Sequence, residues 1–272
     1  MSVLDRFRLD GKKLFITGGS RGLGREMSLA IAEAGADVIL VGREAESLAK
    51  TAAEIEQRGR KAWTIVADVG QPADCERACL EALEKYGPID ILINNVGGRR
   101  IDEPTIDMPL EKWQSIIDLN LTSTFLCTKL IGGAMVRRGT GGRVINVASI
   151  SGIVSNRGIG GRSYETSKAA VIQFTRSVAA HCGRHGYRIR CNCVLPGIVE
   201  TPMVERFWQR LEREHGLTAA EARARFQTRM PLGSFQTAND IADAVLFLAS
   251  DQARQITGVA LPVDGGFLLH DR

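Results

Sequence analysis

KLFITGGSRGLGREM, Lys13 to Met27, joins a short apolar run to a glycine-punctuated turn and then to a helical stretch. KLFIT has the β-branched and aromatic content of a strand. Gly18, Gly22 and Gly24 follow it in the spacing G-x-x-x-G-x-G rather than G-x-G-x-x-G. Glycines there let backbone N–H groups approach a pyrophosphate, and the following helix points its positive end at the same place. A tight turn without a ligand uses the same residues, so the rest of the chain has to decide between the two.

Six further runs of the same kind recur with helical stretches between them: DVILV from Asp37, AWTIV from Ala62, DILIN from Asp90, RVINV from Arg143, IRCNCV from Ile189 and VALPV from Val259. Strands alternating with helices imply a parallel sheet, and mostly continuous apolar strands imply helices on both faces. The expected fold is therefore α/β, a doubly wound seven-stranded parallel sheet forming a single domain over 1–272. Ligands of such sheets sit beyond the carboxyl ends of the strands, which makes the residues just after each run the functional candidates. From about 202 to 231 the alternation gives way to charged helical sequence, FWQRLEREHG and TAAEARARFQ. It reads as a helical insertion covering the substrate crevice.

Composition narrows the function. The chain has 272 residues, 44% hydrophobic and 24% charged, enough for one substantial core. Its net charge of +4 is spread along the chain, which gives nucleic-acid binding no support. Apolar runs such as AVLFLAS from Ala244 are too short to span a bilayer, and MSVLDRFRLD lacks a signal-peptide core, so no membrane association and a cytoplasmic location are expected. The six cysteines lie in apolar segments and read as buried free thiols. Cys191 and Cys193 alternate along one strand with no zinc-type spacing, and no metal is expected.

The second strand ends VGRE. Gly42 occupies the position where an acidic residue would read a ribose 2′-hydroxyl, and Arg43 follows it. With Arg21 in the glycine turn, this favours a 2′-phosphate and hence NADP(H), with NAD(H) possible. Asp68, after the third strand, is placed to meet an adenine edge. Asn94-Asn95-Val96-Gly97, ending the fourth, should pass the adenosine ribose. At the reacting end, Ser149 and Ser151 follow the fifth strand, and SYETSK puts Tyr164 and Lys168 one helical turn apart on one face.

The ordered set of these segments resembles the short-chain dehydrogenase/reductase family. TGGSRGLG matches its TGxxxGxG, NNVG its NNAG with Val96 for alanine, LNL its helix asparagine, NVAS its serine strand, YETSK its YxxxK and LPGIVETPM its later PG…T segment. The matches run in family order from Thr17 to about Gly266. The resemblance implies a Rossmann-like fold and an oxidoreductase interconverting a ketone and a secondary alcohol by hydride transfer. It assigns catalytic roles to Asn120, Ser149, Tyr164 and Lys168: Tyr164 as general acid/base tuned by Lys168, Ser149 on the substrate oxygen, and Asn120 holding a water that links Lys168 to solvent. Lys168 also bonds the nicotinamide ribose. The implied cofactor contacts are Gly18, Ser20, Arg21, Gly22, Leu23, Gly24, Arg43, Asp68, Val69, Asn95, Gly97, Tyr164, Lys168, Pro196, Gly197, Val199 and Thr201.

One spacing departs from the family pattern. Fifteen positions separate Ser149 from Tyr164, and the intervening SNRGIGGRS is glycine-rich, so Ser151 is the alternative to Ser149. A 3-oxoacyl-carrier-protein reductase shares every motif, and a non-catalytic nucleotide-binding regulator is a third reading, although such proteins usually lose the Ser, Tyr or Lys retained here. The small-molecule carbonyl or alcohol partner is expected to be anionic if Arg99, Arg100, Arg157 and Arg162 border the crevice mouth. A homotetramer, or at least a homodimer, is expected because the helices over 109–138 and 164–181 carry apolar residues on more sides than one core-facing stripe needs, and in the family they pair across a two-fold axis.

Overall fold

The computed structural model describes residues 2–98, 103–155, 161–201, 204–205, 208–209, 212–213 and 216–269. Its strands are β1 (Lys13–Thr17), β2 (Asp37–Gly42), β3 (Ala62–Val66), β4 (Ile91–Asn94), β5 (Gly142–Val147), β6 (Ile189–Pro196) and β7 (Ala260–Val263). They form one parallel sheet in the order β3-β2-β1-β4-β5-β6-β7. The chain winds outward from β1 to β3, returns to lay β4 beside β1, and then winds the other way. Between β1 and β4, therefore, connections diverge and a crevice opens. Register aligns its rim: Thr17 pairs with Val41, Ile16 with Ile93, Asn94 with Asn146 and Val147 with Val194.

Strand alternation divides the core between two faces. Leu14, Ile16, Val38, Leu40, Ile91 and Ile93 pack with α1 (Gly22–Glu33), α2 (Ala45–Gln57) and α7 (Ala238–Ala249). Their neighbours Phe15, Ile39, Val41 and Leu92 pack on the other side with α3 (Pro72–Tyr86), α4 (Leu110–Arg138) and α5 (Arg162–Arg184). With helices on both faces, the central strands are apolar at most positions, which is why they read as nearly continuous runs.

Helix α4 bears on the expectation that the apolar runs are too short to span a bilayer. It is one helix of 29 residues, long and apolar enough by length and composition to cross a membrane, with a mean hydropathy of 1.2 in its apolar window. Polar residues such as Asn120, Ser123 and Thr128 interrupt its apolar runs while the average stays high. Half of that window is buried inside the protein, with Leu126, Cys127, Ile131 and Met135 in the core shared with α3. Two π turns, Asp118–Thr122 and Thr128–Gly132, interrupt its α-helical hydrogen bonding.

In the 202–231 segment, α6 (Ala219–Gln227) starts at a capping box in which Thr218 and Glu221 satisfy each other's backbone N–H groups. Trp208, Ala222 and Met230 are buried with Phe235 and Phe267 in a third apolar cluster. That cluster also takes in Leu195 and Ile198, at the carboxyl end of β6 and just past it.

Candidate active site

The phosphate turn is built by close approach. A Cβ on Gly24 would fall on the carbonyl oxygen of Gly18, so only glycine lets α1 start this close to the end of β1. Gly22 has φ +53° and an open space where a side chain would be. No side chain caps α1, whose N-cap Arg21 is extended, and its first-turn N–H groups face the turn. Asn95 fixes this turn from β4. Its Nδ2 donates to the carbonyls of Thr17 at 3.0 Å and Gly18 at 3.2 Å, while Thr17 Oγ1 accepts from the N–H groups of Asn95 and Val96. The Asn95 side chain, expected at the adenosine ribose, thus holds the glycine turn. The Ser20 carbonyl accepts from Thr51, and Leu23 packs on the α1–α2–α7 core.

A second group of candidate residues lies at the ends of β2 and β3. Gly42 ends β2 without a carboxylate, although a Cβ there would meet nothing closer than Leu48 Cδ2 at 3.3 Å. Exposed Arg43 lies 3.9 Å from Asp68, and exposed Arg21 lies 3.2 Å from Glu44. Asp68 Oδ1 accepts from the N–H of Gly70, and its own N–H donates to Asp74 at 2.6 Å. That bond and Arg77 hold the Asp74 carboxyl below the usual carboxylate range. Val69 is buried. A cavity of about 430 Å³ opens beside Asp68, walled by Gly70, Gln71 and the first turns of α4 from Leu110 to Asp118.

The reacting end converges on Gly97. Lys168, 3% exposed, donates from Nζ to the carbonyl of Val147 at 2.7 Å, and its Nζ lies 5.8 Å from the centroid of the Tyr164 ring. Tyr164 and Lys168 both stand in the opening turns of α5, buried, as the i, i+4 spacing requires. Asn120 is fully buried in the first π turn of α4. It accepts from Gly98 N–H at 2.9 Å through Oδ1 and donates to the carbonyls of Ile116 and Gly98. A Cβ on Gly97 would lie 2.7 Å from Lys168 Nζ and 2.8 Å from Asn120 Oδ1. The two polar groups are therefore within about 5.5 Å of each other, a separation one water bridges.

Ser149 follows β5 and caps a short 3₁₀ turn, Ile150–Gly152, by accepting from Ser151 N–H at 3.1 Å. Ser149 and Ser151 are both buried. Gly152 lets that turn press on α5, since a Cβ there would clash with the backbone of Lys168 and Ala169 at 2.8 Å. The serine turn and the tyrosine helix are thus held together by backbone contact. Beyond β6, Gly197 N–H donates to Val263, Thr201 Oγ1 to the carbonyl of Val199, and Pro196 pairs with Val263. Gln236, which sequence reading missed, bridges to Val199, accepts from Glu200 N–H at 2.8 Å and wedges its buried amide between Gly197 and Gly265. Its only sequence signal is its place just before the Thr237–Asp240 capping box. Arg99, Arg100 and Arg157 lie outside the described residues, and Arg162 is exposed at the start of α5. Cys191 and Cys193 are buried free thiols, and burial pushes the Cys193 thiol up to about 11.

Known proteins resemble the chain over nearly its whole length. Residues 18–268 match a family model described as enoyl-(acyl carrier protein) reductase. The chain is 36% identical to galactitol 2-dehydrogenase of Rhizobium johnstonii over 98% of its own length and 99% of the relative's. It is 34% identical to 3-oxoacyl-[acyl-carrier-protein] reductase of Thermotoga maritima, over 96% of this chain and 100% of that one. L-sorbose reductase of Gluconobacter frateurii, solved with NADPH and L-sorbose, superposes with a TM-score of 0.88 at 28% identity, covering 97% of this chain and 98% of that one.

Proposed function

The chain belongs to the short-chain dehydrogenase/reductase family and is an oxidoreductase acting on CH–OH groups of small molecules, and from that premise we propose an NADP(H)-dependent enzyme that interconverts a ketone and a secondary alcohol with Tyr164 as general acid/base. The observation that carries this reading is the convergence of Lys168 Nζ and Asn120 Oδ1 over Gly97, with the Tyr164 ring beside the same ammonium.

The residues present fit a nicotinamide dinucleotide. Gly18, Ser20, Arg21, Gly22, Leu23 and Gly24 would cradle the pyrophosphate at the uncapped start of α1. Arg43 and Arg21 would read a 2′-phosphate, exchanging their surface carboxylate partners for it. Asp68 and Val69 would border the adenine; Asn95 and Gly97 would border the ribose side; Pro196, Gly197, Val199 and Thr201 would border the nicotinamide. When bound, the cofactor supplies or accepts the hydride.

The chain's own residues then move the proton. A phenol near its ordinary pKa of about 10 is a weak base at neutral pH, and an adjacent buried ammonium favours its phenolate. Tyr164 takes the hydroxyl proton during oxidation and returns it to the carbonyl oxygen during reduction. Ser149 donates to the same substrate oxygen; its Oγ accepts from Ser151 N–H, which leaves its proton to give. Asn120 and Lys168 hold a water between them, through which Tyr164 exchanges its proton with solvent.

Two of the relatives named above act on polyols or ketoses, and we assign the substrate to that class of polyhydroxylated small molecules. The full-length likeness to a 3-oxoacyl-carrier-protein reductase supports an acyl thioester as second reading. We place the enzyme in the cytoplasm as a homotetramer or homodimer. Ketoses, simple ketones and 3-oxoacyl thioesters assayed with NADPH and NADH test the proposal. Ketose reduction with NADPH is the expected result, and inertness of all three classes with both cofactors overturns it.

A further inference from the structure

Three thiols that the reaction does not use lie together in the core between α3 and α4. Cys75 and Cys79 stand one turn apart on α3, and Cys127 reaches them from the α-helical stretch between the two π turns of α4. All three side chains are 0% exposed. Cys127 Sγ is 3.5 Å from Cys75 Sγ and 3.6 Å from Cys79 Sγ, and all three sulfurs lie within 4.8 Å of one another.

We propose that Cys75, Cys79 and Cys127 bind one thiophilic monovalent cation of the Cu(I) or Ag(I) class, clamping α3 to α4. Geometry is the first argument. A point equidistant from the three sulfurs is at most about 2.4 Å from each, close to the roughly 2.3 Å of a metal–thiolate bond, so coordination needs almost no movement of the helices. The donor set is the second. Soft sulfur ligands select cuprous-class ions, whereas zinc wants a fourth ligand, and no further His, Cys or carboxylate joins the trio among the described residues.

The surroundings are the third argument. Ala78, Ala82, Leu126, Ile131 and Met135 share this core, whose apolar side chains exclude water as a competing ligand and keep the sulfurs the donors at this point. Each thiol that ligates as thiolate releases one proton to solvent, and no redox change is involved. Cys182, Cys191 and Cys193 are also buried and free but do not gather three sulfurs at one point. They serve as internal controls.

The test uses the full chain, reduced and freed of metal, given one equivalent of Ag(I) or of Cu(I) under reductant, then desalted and weighed by native mass spectrometry. One ion retained per chain, with a raised melting temperature, is the expected result, because a ligand held only by the native state stabilises it. Cys127→Ala and Cys75→Ala, each checked for native fold by circular dichroism, should lower the affinity by at least about tenfold, while Cys193→Ala retains the ion. Cys79→Ser provides the same test if either alanine variant fails to fold. Failure of the wild type to retain an ion, or retention undiminished in the trio variants, overturns the proposal. Equal loss in Cys193→Ala overturns it as well. None of these readouts depends on the enzyme's activity.

Discussion

The ammonium of Lys168 donates to the carbonyl oxygen of Val147 at 2.7 Å, tying the opening turns of α5 to the last residue of β5. The bond belongs to the folded chain, before any ligand, so Lys168 has a structural duty beside its proposed electrostatic one. Lys168→Met is expected to abolish turnover and also to lower stability by about 1–3 kcal/mol, the cost of leaving a buried carbonyl without its charged donor. Urea denaturation checks the second effect. An unchanged midpoint would confine Lys168 to chemistry.

Tyr164→Phe separates the two duties. It removes a hydroxyl while keeping the ring beside Lys168. Turnover should fall by about 10²- to 10⁴-fold, the usual worth of a positioned proton donor, with NADPH affinity nearly unchanged. Activity within tenfold of wild type would discard Tyr164 as the acid/base.

The glycine turn yields a contrast between two neighbours. Gly24→Ala puts a methyl on the Gly18 carbonyl, so α1 must shift from β1. Gly22→Ala meets open space and incurs only the strain of φ +53°, about 1–2 kcal/mol. NADPH binding by calorimetry should be lost in the first variant and weakened in the second. Equal affinities for the two variants would show that the close approach does not shape the site.

Much of this was legible because the strands punctuate themselves. KLFIT and AWTIV match β1 and β3 residue for residue, since their β-branched and aromatic residues stand out from the turn residues and helical stretches around them. Tyr164 and Lys168 were legible because one helical turn fixes their relation locally. What stayed hidden depends on tertiary contact or on hydrogen-bond register. The π turns of α4 leave no mark in composition, so the aim of Asn120 at Gly98 had no signal. The place of Asn95 after β4 is visible in the sequence, whereas its hold on the glycine turn is not, because its bonds to Thr17 and Gly18 span 78 and 77 positions. The sulfur trio likewise joins α3 to α4 across 52 positions.

The assembly prediction rests on α4 and α5. Phe125 is 46% exposed and meets Phe174 edge-on at 6.3 Å, and Leu110 is 75% exposed, so both helices keep apolar surface outside the core. A dimer or tetramer is expected by light scattering at micromolar concentration. Phe125→Glu should shift the population towards smaller species by burying a charge at that face. A monomeric wild type would refute this assembly.

Cofactor preference turns on Arg43. Gly42 offers no carboxylate for a ribose 2′-hydroxyl at the end of β2, and the guanidinium beside it stands 3.9 Å from Asp68, exposed on 54% of its side chain. An exposed pair at that distance is worth little, so Arg43 gives up almost nothing in turning to a phosphate. A 2′-phosphate offers it charge-assisted bonds that NADH lacks. Arg43→Ala should therefore weaken NADPH by about 1–3 kcal/mol, roughly five- to 150-fold, and leave NADH nearly untouched. Arg21→Ala should do the same more weakly, because its 3.2 Å contact with Glu44 competes with the phosphate. Dissociation constants from fluorescence titration decide the matter: equal losses for both cofactors in Arg43→Ala would show that Arg43 does not read the 2′ position.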